Sequence, residues 1–329
     1  MEIVLTEAGG PLRIDSTDSP LPGDGEVRVR VEASGVSFAE VQMLHRRYPM
    51  QPKFPFVPGY DFVGTITEVG AGVDLAVSQR VAALTVTGAW RTHVVVPASR
   101  VVPVPAGLDP GVAAATTMNG VTAWAMVHEV ARVRPGQTVL VHGASGGVGT
   151  LLVQLALSAG ARVLGTASSA KHSLVSELGA SPIDYRGDVA AQVRALAPSG
   201  VDAVFDHLGG SSLPVSYSLL ADGGTLVNYG SLTTLRENNH WAVPYLRTMR
   251  LFAAWRLAAL FGRGRGRRAT FYAVRAGAKF NAALAEVYRL VAAGELNPPI
   301  DRRMPLEKAP EALQLLIDGR TTGKIVLEA

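Results

Sequence analysis

Gln137 to Gly160, "QTVLVHGASGGVGTLLVQLALSAG", runs from an apolar strand through a glycine-rich turn into a helix. Gly143, Gly146, Gly147 and Gly149 fill that turn, spaced G-x-x-G-x-x-G. The turn needs glycine because the chain must pass through positive φ, approach a pyrophosphate with its backbone and pack the helix hard on the strand. The N–H groups opening the helix then face an anion, with the positive end of the helix dipole behind them. Strands and helices keep alternating afterwards, in "ARVLGTA", "AKHSLVSELGA", "SPIDY", "VAAQVRALA", "VDAVFDHLG", "SLPVSYSLLADG" and "GTLVNYG". This alternation predicts a parallel sheet wound on both faces, with the glycine turn as a dinucleotide cradle. A Walker-type loop is excluded, since no Gly-Lys-Ser/Thr follows.

The end of the second strand, "ARVLGTASSAK", bears on which dinucleotide is bound. An NADH site carries Asp or Glu about 20 residues after the glycines, bonded to the ribose 2′-hydroxyl. Here Thr166, Ala167, Ser168 and Ser169 hold that place, Lys171 follows, and the next acid is Glu177. Hydroxyls and an ammonium suit a 2′-phosphate, so NADPH is the expected cofactor. The alternative for Lys171 is an exposed lysine at a helix start.

The first hundred residues have a different character. "EVRVRVEASGV" alternates, and "FVGTITEVGAGV", "RVAAL" and "RTHVVVPASRVVPVP" read as short strands broken by Gly and Pro. After Pro110, "GVAAATTMNGVTAWAMVHEV" reads as a helix. A less regular stretch from Leu232 to Ala276 precedes an amphipathic helix, "FNAALAEVYRLVAAG", a second helix in "PLEKAPEALQLLIDG" and a closing strand, "GKIVLEA". A chain of 329 residues suggests about two domains. It has no cysteine, which excludes disulfides, a cysteine nucleophile and thiolate-bound zinc. "MEIVLTEAGGPLRI" reads as strand and turn rather than signal peptide, and no uncharged apolar run reaches about 18 residues, so a cytoplasmic protein is expected. Part of the net charge of +4 lies in "GRGRGRR", Gly262 to Arg268. This cluster reads as a solvated loop, with an anionic-lipid or nucleic-acid site as the alternative; no nucleic-acid partner is expected.

Taken in order, "PFVPGYDFVGTITEVGAGV", "NGVTAW", "RPGQTVLVHGASGGVGTLLVQLA" and "GRTTGKIVL" resemble the zinc-free quinone oxidoreductase branch of the medium-chain dehydrogenase/reductase superfamily. The segment with "GRRATFYAV" is similar to vesicle amine transport protein-like members. The resemblance covers nearly the whole chain. It implies a GroES-like β-rich catalytic domain at 1–112 and 278–329, and a Rossmann NADPH-binding domain at 113–277 with an extra helical segment at 232–276. Carried over by position, Ser145, Gly146, Gly147 and Val148 form the pyrophosphate loop, and Gly165 lies at the end of the second strand. Ser168, Lys171 and Tyr185 surround the 2′-phosphate, Thr122 approaches the phosphates or nicotinamide, and Leu208, Gly230 and Ser231 line the nicotinamide side. A homodimer is also implied. The chain departs from the family at Ser37, often Asn, at Glu40, often Asp, and at Gln42, which can be Tyr.

Zinc-dependent members carry Gly-His-Glu where this chain has Gly59-Tyr60-Asp61, and a cysteine where it has Ser37. No metal site is expected, and without a Lewis acid simple alcohol oxidation is disfavoured. Hydride addition to an acceptor that is already electrophilic is then expected, either a quinone or an α,β-unsaturated carbonyl. Tyr48, in "RRYP", falls where related enoyl reductases have a proton-donating tyrosine; a packed loop aromatic is the alternative. Ser37 is the second catalytic candidate, a hydroxyl for the developing oxyanion. Rival functions are an enoyl-thioester or polyketide-tailoring reductase, and a non-catalytic NADPH-binding protein. The aromatics and leucines of "HWAVPYLRTMRLFAAWRLAALF" fall at helical spacing and read as core or dimer face, then as a lid, then as a membrane-surface helix.

Overall fold

The computed structural model describes residues 1–329 except 18–19 and 238–239. The chain divides into two compact units, one of Met1–Val121 with Val274–Ala329 and one of Thr122–Ala273.

The first unit opens with an antiparallel pair, β1 (Glu2–Leu5) and β2 (Leu12–Asp15). The alternating stretch forms the long strand β3 (Glu26–Val36), which sends Val27, Val29 and Val31 inward while Arg30 points to solvent. A short helix α1 (Phe38–Leu44) follows, then β4 (Asp61–Val69), β5 (Arg80–Leu84), β6 (His93–Pro97) and β7 (Val102–Pro103). The inward valines meet Phe62, Ile66, Val81, Val94 and Val96 in one apolar core. Helix α2 (Pro110–Ala125) contains the division between the units.

The second unit is the expected alternation. Its elements are β8 (Thr138–Val141), α3 (Gly147–Ser158), β9 (Arg162–Ala167), α4 (His172–Glu177), β10 (Ser181–Asp184), α5 (Val189–Leu196), β11 (Val201–Asp206), α6 (Ser212–Ser218) and β12 (Leu220–Asn228). A 19-residue helix, α7 (Ala242–Leu260), lies in the stretch that follows, and β13 (Arg268–Phe271) comes after it. The strands are parallel in the order β10-β9-β8-β11-β12-β13. Their order reverses between β8 and β11, and in open α/β sheets ligands bind beyond the carboxyl ends of the strands at such a switch point. Leu140, Leu164, Ile183, Val204 and Leu226 form the core of this unit.

Helix α7 exists because one of its faces finds that core. Leu251, Phe252 and Trp255 pack on it, and the Trp255 ring stacks on Tyr217 with centroids 4.0 Å apart. Leu246, Met249, Leu257 and Leu260 stay exposed. Among the described residues, no helix is long and apolar enough to cross a membrane.

The chain then completes the first unit with α8 (Ala278–Ala292), β14 (Ile300–Pro305), α9 (Ala309–Ile317) and β15 (Lys324–Glu328). Strand β15 pairs antiparallel with β3, Ile325 facing Val36, while β3 pairs with β4, Ala33 facing Val63. The end of β3 and the starts of β4 and β15 therefore share one end of the sheet, where Ser37, Asp61 and Lys324 lie.

Candidate functional site

In the second unit the glycine turn leaves β8 at the switch point. Gly143 has φ +66°, and a β-carbon there would strike the His207 ring. A β-carbon on Gly149 would run into the carbonyl oxygen of Gly143, so the helix sits against the turn with no room to spare. Gly146 caps α3, its N–H donating to the Gly143 carbonyl at 2.9 Å, and Gly147 is the first residue of the helix, with Ser145 and Val148 flanking them at its mouth.

Hydrogen bonds hold the turn from beneath. The Gly143 N–H donates to Thr166 Oγ1 at 3.0 Å, and His142 Nδ1 lies 3.3 Å from the same hydroxyl. His142 Nε2 lies 3.1 Å from Ser216 Oγ, which donates to Asp206 Oδ2 at 2.8 Å. Burial pushes the pKa of His142 down, against a smaller upward pull from Asp206. His207 is driven further by burial, down to about 4, and its Nδ1 is buried without a partner. Both imidazoles are therefore neutral at pH 7.

Ser168 follows β9 and Lys171 ends the 3₁₀ turn after it. The pairing of β9 with β10 sets Asp184 opposite Ala167, and the Tyr185 N–H donates to the Ala167 carbonyl at 3.3 Å. Ser168, Lys171 and Tyr185 thus meet at one end of the sheet, with Tyr185 half-exposed. The sequence reading missed Arg186, whose guanidinium lies 6.0 Å over the Tyr185 ring. Its place after a strand that pairs with β9 was the available signal.

Leu208, Gly230 and Ser231 come together at the ends of β11 and β12. The Leu208 N–H donates to Asp206 Oδ1 at 2.8 Å, the Tyr229 N–H to the Asp206 carbonyl at 3.0 Å and the Leu232 N–H to the His207 carbonyl at 3.1 Å. Thr122 is buried in α2. Gly165 corrects the sequence reading. It lies inside β9, not at its end, and a β-carbon there would come within 2.7 Å of Ala144 Cβ, so its place is packing beneath the turn.

In the first unit, Ser37 caps α1 and its N–H donates to Glu40 Oε2 at 2.9 Å; its hydroxyl donates to the same oxygen. Glu40 is buried and its Oε1 has no partner. Burial raises its pKa from 4.5 to about 7, against downward pulls from the Ser37 bond and the Lys324 charge. Asp61, also buried, accepts the Gly35 N–H at 3.1 Å and the Met118 N–H at 3.0 Å. Burial raises its pKa too, with Lys324 opposing. Lys324 is buried and donates to Asn119 Oδ1 at 3.3 Å. Beside this group the Tyr48 and Tyr60 hydroxyls share a 2.6 Å hydrogen bond, with the rings edge-on at 84°. Burial raises both phenols.

Comparison with known proteins bears on both units. Residues 23–106 match the alcohol dehydrogenase GroES-like domain, and residues 178–327 match the zinc-binding dehydrogenase model. The mouse synaptic vesicle membrane protein VAT-1 homolog is 33% identical, aligned over 99% of this chain and 82% of its own length. The chain belongs to the medium-chain dehydrogenase/reductase superfamily. Within that superfamily of oxidoreductases its solved neighbours include a mycobacterial quinone oxidoreductase, 32% identical with TM-score 0.81, and a mycobacterial protein complexed with NADPH, 30% identical with TM-score 0.86. Each covers 100% of this chain and 99% of the neighbour.

The zinc named in one matching model does not fit the residues present. The chain has no cysteine, both Asp61 carboxyl oxygens are occupied by backbone N–H groups, and an ammonium lies beside them. Among the described residues, no group of three His, Cys, Asp or Glu side chains is placed to hold a metal ion.

Two outcomes follow from this geometry. Gly149→Val should cost roughly 1–3 kcal/mol by overpacking and weaken dinucleotide binding, checked by urea unfolding and cofactor titration. For Glu40, whose folded pKa lies above its unfolded value, the stabilising contribution is whole below about pH 4.5 and is lost as pH rises through about 7. It amounts to about 3 kcal/mol. The stability difference between wild type and Glu40→Gln, measured by urea midpoints from pH 5 to 8, should shift against wild type as pH rises. A constant difference would show that the carboxyl does not titrate there.

Proposed function

We propose that the chain is an NADPH-dependent oxidoreductase that reduces a quinone or an α,β-unsaturated carbonyl without a metal. The end of β9 carries the reading. Ser168 and Lys171 stand there with Tyr185 and Arg186 beside them, where a 2′-hydroxyl would call for a carboxylate. The NADPH complex of the mycobacterial neighbour and the quinone oxidoreductase beside it support the same assignment.

In this reading the N–H groups at the mouth of α3, with Ser145, Gly146, Gly147 and Val148, hold the pyrophosphate. Ser168, Lys171, Tyr185 and Arg186 hold the 2′-phosphate, while Leu208, Gly230, Ser231 and Thr122 orient the nicotinamide. When bound, NADPH supplies a hydride to an electron-poor carbon. The negative charge moves to the carbonyl oxygen, which hydrogen-bond donors must steady, and Ser37 is the candidate hydroxyl. For an enone the α-carbon also needs a proton, and Tyr48 is the candidate donor; its hydroxyl shares a 2.6 Å hydrogen bond with that of Tyr60. A quinone makes no such demand, since its oxygens exchange protons with water. The buried tyrosine pair therefore favours the enone.

Titration with both cofactors tests the first half. NADPH should bind roughly 10- to 100-fold more tightly than NADH, as expected of one or two charge-assisted hydrogen bonds, and Lys171→Ala should remove most of that preference. Equal affinities in wild type would overturn the cofactor assignment. Kinetics test the second half. Tyr48→Phe should lower kcat on methyl vinyl ketone about 100- to 10,000-fold, the usual contribution of a general acid, and leave benzoquinone reduction and NADPH affinity nearly unchanged. An equal loss on both acceptors would remove Tyr48 as the proton donor.

A further inference from the structure

The stretch from Ala242 to Arg268 holds seven arginines and no other ionisable side chain except that of Tyr245. It comprises α7, the glycine-arginine turn after it and the first residue of β13, all in the second unit. At about 100° per residue, Leu246, Met249, Ala253, Leu257 and Leu260 fall within an arc of roughly 80° on α7. The core-packed Leu251, Phe252 and Trp255 lie on the opposite side of the helix. The whole stripe is exposed, Leu260 at 81%, and Phe261 beyond it is 74% exposed. Arg250 and Arg256 stand just outside its two edges, both exposed and neither ion-paired with a described residue. The turn is held in place: the Arg263 N–H donates to the Ala258 carbonyl at 3.0 Å and the Gly223 N–H to the Arg265 carbonyl at 2.9 Å. Arg265 and Arg267 reach only Asp222, at 3.8 and 4.0 Å, too far for a hydrogen bond. The turn sits by the starts of β12 and β13, which run parallel, and so at the opposite end of the sheet from the glycine cradle.

A contiguous apolar stripe on a surface helix marks an interaction face, and charge selects what covers it. In an isologous dimer the same face of both copies meets, so the arginines of one copy would stand against those of the other, with no acid of the segment between them. A neutral apolar groove would cover the leucines and leave the flanking guanidinium groups without partners. An anionic bilayer serves both. Acyl chains take the leucines, and phosphate and carboxylate head groups take the arginines, whose long stems keep the charge at head-group level. We propose that α7 and its arginine turn dock the protein on an anionic lipid bilayer. The helix lies in the plane of the interface with the Leu246–Leu260 stripe dipped into it, and the turn rests on the head groups. The helix does not cross the bilayer. Each arginine near an anionic leaflet raises binding about fivefold, an effect that salt screens.

Co-sedimentation of the full chain with lipid vesicles tests the docking, and neither NADPH nor an acceptor enters the measurement. At about 0.1 M salt, vesicles of phosphatidylcholine with about one-third phosphatidylserine should bind at least about tenfold more tightly than phosphatidylcholine alone, and about 0.5 M salt should remove most of that difference. Arg250→Gln combined with Arg256→Gln should weaken anionic binding roughly 25-fold, two fivefold steps. Leu257→Ser combined with Leu260→Ser should weaken it at least about tenfold. Far-UV circular dichroism and urea midpoints should match wild type in both, because these side chains are exposed. Leu260→Trp should add emission that shifts to the blue with the anionic vesicles and stays unshifted with neutral ones. Failure to bind the phosphatidylserine vesicles overturns the proposal, as does binding that the leucine pair leaves unchanged. A wild-type dimer that falls to monomer in the leucine variant, seen by sedimentation velocity, assigns the stripe to a second copy and overturns it as well.

Discussion

Asp206 is fully buried, and its two carboxyl oxygens accept four hydrogen bonds: the Leu208 and Gly209 N–H groups on one, the Ser212 and Ser216 hydroxyls on the other. A buried carboxyl needs such partners, because leaving it unpaired would cost several kcal/mol. The bonds also fix geometry. They turn the chain sharply after β11, tie that turn to α6 and pass through Ser216 to His142, hence to Thr166 and the Gly143 N–H. The ends of three adjacent strands are thus locked together at the point where strand order reverses. The glycine turn inherits its shape from this network, because Gly143 has the His207 ring on one side and the start of α3 on the other. A phosphate cradle works by preorganisation, since N–H groups that must be reoriented on binding give back part of their gain. The neutral state of both buried histidines keeps added positive charge out of the network at pH 7.

The first unit solves a different problem with similar means. Where zinc-dependent relatives would place a metal with its own charge, this chain buries two acids, a lysine and two phenols. Burial raises both acids, and Lys324 lowers both again, so one ammonium serves two carboxyl groups. Their surroundings then separate them. Asp61 is held by two backbone N–H groups from β3 and α2, which fit it for a structural place. Glu40 has one oxygen held by the helix cap and one without a hydrogen-bond partner, and burial raises its pKa to about 7. Two buried carboxyl groups near one ammonium thereby differ in how their oxygens are paired.

The sequence was most legible where one stretch of chain must satisfy several backbone constraints at once. Strand, glycine turn and helix could be read from Gln137 to Gly160 because a tight turn, a close backbone approach and helix packing each demand glycine at a fixed offset. The alternation after it gave the parallel sheet for the same reason, since each amphipathic helix needs a sheet face. Gly165 was misplaced within its strand because a glycine that opens space for Ala144 looks, in one dimension, like a glycine that opens space for a ligand. Pairs made by strand register stayed hidden. Lys324 reaches the head of α1 only because β15 lies antiparallel beside β3, and Arg186 reaches the end of β9 only because β10 lies parallel to it. The Tyr48–Tyr60 bond joins residues whose spacing carries no period, and the character of Glu40 depends on burial by elements far along the chain.

The balance between quinone and enone turns on where the second proton has to go. Both acceptors take hydride at an electron-poor centre, and in both the charge arrives on oxygen. A quinone ends with its new negative charge on an oxygen that water can protonate, so the protein gains little by storing a proton near it. An enone ends with a carbon that must be protonated, and proton transfer to carbon is slow unless a donor is already in place. A donor that is a phenol raised by burial suits that task poorly by itself, because giving up its proton leaves a phenolate in the same desolvated pocket. A second phenol at 2.6 Å can share that charge through its hydrogen bond. Within the proposed reductase reading, burying two bonded phenols carries a desolvation cost that quinone reduction alone gives no reason to bear. The arrangement therefore weighs towards an acceptor whose reduction ends at carbon.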